Sequence, residues 1–123
     1  MTTGINNPMF ITTIRPAAAV TQYRAVNAAR TAQCTVQDEL IGGVANMTID
    51  AGTQGTIVED GIVMWAAAAA IAAGAAVTVD ANARCVTCAA GEKEQGRARE
   101  AATIIDHVIQ VKIAARRAVS AIA

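Results

Sequence analysis

The residues of this chain best suited to chemistry are three cysteines and a single histidine. Cys85 and Cys88 form a C-x-x-C, and with Cys34 and His107 they make a Cys3His set of the kind that holds zinc. Spacing argues against it. On a strand, residues three apart point to opposite faces, so the two thiols converge only if the chain curls between them. A redox C-x-x-C ordinarily opens a helix whose N-terminus lowers the thiol pKa, and no helix start follows Cys88. The odd cysteine count is also a poor basis for a disulfide framework and suits a reducing cytosol.

Other constellations fare no better. Asp106-His107 suggests part of a triad, but the sole serine is Ser120, close to the last residue; Cys34 with His107 would need a spatial coincidence. A lone histidine beside an aspartate in a turn is ordinarily a solvated surface residue. Gly91 to Gly96 has P-loop spacing, yet Arg97-Ala98 stands where Lys-Ser/Thr is required, and GEKEQG reads more simply as a charged loop. Asp38-Glu39 and Glu59-Asp60 sit at expected turns, where acidic side chains serve local hydrogen bonds. No catalytic residue, cofactor site or metal site is assigned, and an enzyme is not expected.

The elements that would position such residues are bounded by composition. At 123 residues this is one domain, able to bury roughly 65% of the surface its unfolded chain exposes. Phe10, Tyr23 and Trp65 are the only aromatics, so the core rests on Val, Ile and many alanines, each burying little area. Such a thin core favours burial against copies of itself or a partner. Formal charge is zero and the cations are scattered, without the basic footprint of a nucleic-acid binder. The N-terminus lacks a basic region followed by an apolar one, so no secretory signal is expected.

The run from Gly61 to Val79 carries no charge and has the length of a membrane span, about 20 residues. Its hydrophobicity falls short. Ile62, Val63, Ile71, Val77 and Val79 together contribute at best about −3 kcal/mol toward insertion, and the flanks Glu59, Asp60 and Asp80 are acidic.

Strands account better for the pattern. Short Val, Ile and Thr runs broken by Gly, Asn and Asp every 8 to 12 residues or so predict strands over 19–28, 32–36, 41–47, 55–59, 62–67, 76–80, 84–88, 96–102 and 108–114. In the last, Ile109, Val111 and Ile113 alternate with Val108, Gln110 and Lys112. Residues 77–86 read as a hairpin with Asp80 and Asn82 supplying turn chemistry, and Glu59-Asp60-Gly61 as a second turn. Ala66 to Ala73 is expected to form about one helical turn, ended by Gly74. The alanines of this run should let backbone segments approach closely, so a bulky or charged residue at Ala68 or Ala70 should impair folding or assembly. The expected organisation is an extended N-terminal arm (1–15), an all-β single domain (16–116), sandwich or barrel, with at most one short helical turn, and a C-terminal tail (117–123).

The order of the motifs is itself informative. Ile41-Gly-Gly-Val-Ala-Asn46, Gly61-Ile-Val63, Ala70-Ile-Ala-Ala-Gly74, Val77-Thr-Val-Asp-Ala-Asn-Ala-Arg84, Gly96-Arg-Ala-Arg-Glu-Ala-Ala102 and Val108-Ile-Gln-Val-Lys-Ile113 follow one another over most of the chain. In this order they resemble the capsid decoration, or head cement, proteins of tailed bacteriophages. Ala83 stands where that pattern usually has Gly, with Asn82 beside it as the residue tolerant of left-handed backbone. The resemblance implies a non-enzymatic virion protein, made in the host cytoplasm, that binds the outer capsid surface and locks neighbouring major capsid subunits together. Its implied partners are the major capsid protein and itself, as homodimer or homotrimer, with no nucleic acid or membrane. Pro8, Met9, Phe10 and Ile11, an apolar cluster in an otherwise polar arm, are the expected contacts, with Trp65.

Two alternatives come from other classes: a small membrane-associated protein with a helix at 61–79, and a zinc or redox module using Cys34, Cys85, Cys88 and His107. The first requires strong helical circular dichroism and detergent, the second bound metal or a reactive dithiol.

Overall fold

The computed structural model describes residues 10–114. Their strands are β1 (Phe10–Ile14), β2 (Ala25–Asn27), β3 (Ile41–Ala45), β4 (Gly55–Ala66), β5 (Ala76–Val79), β6 (Cys85–Thr87), β7 (Gly96–Ala98) and β8 (Val108–Ala114). All the pairings between them are antiparallel. The order β2-β3-β4-β8-β7-β5-β6, with β1 paired to β4 outside that path, curls into a nearly closed barrel. It draws shut where the Ala25 N–H of β2 donates to the carbonyl of Ala83 (2.9 Å), in the turn between β5 and β6. Closure of this kind removes the exposed sheet edges that invite aggregation.

β4 is the organising element. The expected turn at Glu59-Asp60-Gly61 is not formed; the strand runs unbroken for 12 residues. Gly61 keeps its positive φ (113°), but within a strand. Opposite it, the register with β1 jumps from Ile11↔Val58 to Phe10↔Asp60, so Glu59 is an extra residue, a β-bulge. The bulge reverses the alternation of faces. Val58 lies in the main core and so do Val63 and Trp65, an offset of five that an unbroken period of two forbids. Adjacent Ile57 and Val58, on opposite faces, also let this one strand serve two cores. The main one gathers Trp65, Ile41, Val77, Val79, Ile109, Val111 and Ile113, and a smaller one holds Ile14, Val20, Val26, Ala45, Ile49 and Ile57.

Ile14 in that second cluster also revises the expected arm. Residues 10–14 pair with β4 and belong to the packed domain; the rest of the expected arm to Met9 lies outside the described residues, as does the expected tail (117–123). The expected strand at 32–36 reduces to a single bridge between Val26 and Gln33.

No helical turn forms at Ala66–Gly74. The alanine run is instead pinned from outside: the Ala67 N–H donates to His107, Ala68 to Cys85, Ile71 to Ala102 and Gly74 to Ala98. Carbonyls of other segments of the same chain outcompete the few internal bonds that so short a helix could make. Ala67 and Ile71 are buried whereas Ala70 is exposed and Ala68 half-buried, so the close approach expected of the run is made at Ala67. Among the described residues no helix is long and apolar enough to cross a membrane.

Candidate functional site

The cysteines do not converge on a metal. Cys34 and Cys85 are buried and Cys88 half-buried, all free, and among the described residues no group of three or more potential ligands could hold an ion. Burial pushes every thiol away from the reactive thiolate. It raises Cys34 far above its ordinary value, with the Glu39 charge adding to the effect. It lifts Cys85 to about 12 and Cys88 to about 11, where Glu92 adds its charge. The Cys88 thiol donates to the Lys93 carbonyl (3.2 Å). Cys34 and Cys85 are packing residues of the main core, and none of the three thiols is poised as a nucleophile.

Asp106 and His107 are spent on a turn. Asp106 takes left-handed backbone (φ 66°), and its Oδ1 accepts from Arg84 (3.0 Å) and Arg24 (3.4 Å). His107 Nδ1 accepts from the Thr103 N–H (3.2 Å). The loop 91–96 is likewise turned inward. Gln95, 3% exposed, accepts from the Ile41 N–H (2.8 Å) and donates to the Glu39 carbonyl (2.7 Å). Asp38 Oδ1 accepts from the Thr78 hydroxyl (2.8 Å) and the Lys93 N–H (2.9 Å). Burial works against the Asp38 carboxylate, but those two hydrogen bonds and the Lys93 charge outweigh it and hold its pKa below the usual value. Together these polar groups stitch the loops 35–40 and 91–96 to the barrel.

What remains available for function is an apolar surface. Phe10 and Ile11, two of the expected contacts, are 44% and 48% exposed on β1. Pro8 and Met9 lie outside the described residues. Trp65, expected at a contact surface, is instead fully buried, with its indole N–H donating to the Ala83 carbonyl (2.9 Å); in the single chain it holds the barrel. Exposure passes to its neighbour Met64 and to Ile104 and Ile105, at 67% and 55%. Sequence reasoning missed these two, although adjacent isoleucines before an Asp-His turn are a readable signal for an exposed apolar tip.

Comparison with known proteins decides between the classes. The model of the phage cement protein family matches residues 6–113. This chain belongs to the phage cement protein family. It is thus a structural, non-enzymatic component of the phage head, of the capsid decoration class. No curated protein matches the cement protein by sequence. Among solved structures, its fold is similar to the head fiber gp8.5 N base of bacteriophage phi29, with a TM-score of 0.69 at 17% identity, covering 88% of this chain and 96% of that one. At that identity the likeness concerns the fold.

Proposed function

We propose that this cement protein binds the outer surface of a phage capsid and ties neighbouring major capsid subunits together, through an anchor that begins at β1. The observation that carries the reading is the pair Phe10 and Ile11, exposed at the start of the described chain, directly after Pro8-Met9. Adjacent large apolar side chains held on a strand cost solubility unless a partner covers them. Many copies on a lattice then resist internal pressure, since a modest contact repeated across neighbours gains by avidity. The same argument supports self-association as dimer or trimer, which would supplement a core poor in large side chains.

The test must respect the packing of β1. Removing residues 1–15 would take Ile14 out of the second core and confound binding with folding. Deleting residues 1–9, with Phe10→Ser and Ile11→Ser as a separate variant, leaves Ile14 in place. Both should fold, by circular dichroism, and decorate capsids at least tenfold more weakly than the full chain. Unchanged decoration by both would remove the anchor from the mechanism.

A further inference from the structure

The outward side of β8 and β7 carries cations that the capsid reading does not use. Along β8 the buried Ile109, Val111 and Ile113 alternate with exposed Gln110 and Lys112, and at β7 Arg97 and Arg99 are exposed on either side of buried Ala98. Register fixes the neighbours. Lys112 lies between Ile62 of β4 and Arg97 of β7, and the Arg99 N–H donates to the Gln110 carbonyl (2.8 Å), which puts Arg99 diagonal to Lys112. We propose that this sheet face docks an extended acidic segment of another protein, whose carboxylates on alternate residues reach Lys112 and Arg99.

Unbalanced charge points to that occupant. Arg97 stands directly across from Lys112, a like-charge arrangement that costs sheet stability, and only the arginine is relieved: Glu94 holds its guanidinium at 2.7 and 3.0 Å. Arg24, Arg30, Arg84 and Lys93 are paired as well. Among the described residues Arg99 and Lys112 make no ion pair, not even with Asp60 on the outward side of β4. Nor do the chain's ends hold a carboxylate side chain, because all ten acidic residues lie within residues 10–114. Spacing then defines the partner. Diagonal neighbours on adjacent strands stand about 7–8 Å apart, and alternate residues of an extended chain, on one face, about 6.6 Å. A second copy offers no such pair of carboxylates, since its Glu92 and Glu94 are engaged by the Ala89 N–H and by Arg97. Nucleic acid is disfavoured, because β7 and β8 carry no aromatic residue on which bases could stack. The face lies on strands other than β1, and its assignment does not depend on the capsid reading.

A blocked peptide in which two glutamates alternate with threonines is the probe, and its glutamine counterpart the control. Titrated into the full-length, isotope-labelled protein, the glutamate peptide should move the backbone resonances of Arg99, Gln110 and Lys112. Raising sodium chloride from about 0.05 to about 0.5 M should weaken that binding at least about threefold. Arg99→Gln combined with Lys112→Gln, both at exposed positions, should leave the rest of the spectrum in place and weaken binding at least about fivefold. No response at millimolar peptide, an equal response to the glutamine peptide, salt-independent binding, or binding undiminished in the double variant would overturn the proposal. So would the same shifts on concentrating the protein alone, which would make the occupant a second copy, or tighter binding of a single-stranded oligonucleotide to the same residues, which would make it a nucleic acid.

Discussion

Asp38 shows how much one side chain can fasten. It takes left-handed backbone (φ 64°), its N–H donates to the Val79 carbonyl (2.9 Å), and its carboxylate receives Thr78 and Lys93. Because its folded pKa is depressed, the stability it contributes is fully present above the unfolded value of about 3.9 and is lost as pH falls through the lower folded value. Denaturant titrations below about pH 4 should therefore show a steeper loss for the native chain than for Asp38→Asn; equal pH slopes would contradict this role. Gly43 is constrained by space. A Cβ there would stand 2.7 Å from the Val58 carbonyl oxygen, so Gly43→Ala should cost about 1–3 kcal/mol in equilibrium unfolding.

At the scale of elements, β4 divides what could be read in advance from what could not. The alternation in β8 announced a strand with one apolar face, and residues 108–114 form it. The Asp80 turn was equally legible: its Oδ1 accepts from the Asn82 and Arg84 N–H groups, both at 2.9 Å. The left-handed position, however, falls on Ala83 (φ 66°), whose methyl is buried in the main core, rather than on the more tolerant Asn82. Glu59-Asp60-Gly61 has turn composition, and only the two pairing partners at Asp60, Phe10 and Ala114, fix it as a bulge. Those partners lie some fifty residues away on either side, beyond the reach of local pattern. The exposure of Phe10 and Ile11 and the burial of Trp65 were settled by that same long-range pairing.

Two substitutions test these elements. Ile14→Ala should destabilise by about 2 kcal/mol, since Ile14 is the β1 residue in the second core; a cost below about 0.5 kcal/mol, the surface range, would mean β1 is dispensable to the domain. In the alanine run, Ala67→Leu should cost about 1–3 kcal/mol by overpacking, because Ala67 is fully buried. Ala70→Leu should stay within about 0.5 kcal/mol in the isolated protein, so any effect it has on capsid decoration would mark a surface covered only in the assembly.

The whole molecule is a small barrel whose polar groups are largely spent on holding loops and whose conspicuous remaining resource is exposed apolar side chains. Exposed apolar side chains of this kind suit the proposed mode of action, binding in many copies to a capsid lattice, and accord with membership in the cement family. Cosedimentation with capsids of the phage that encodes it is the most direct test. The account predicts that the purified protein pellets with expanded capsids at a saturating, lattice-defined stoichiometry and raises the temperature at which they disrupt. Protein left in the supernatant at all capsid concentrations, or capsids bound but no more resistant to heat, would contradict it.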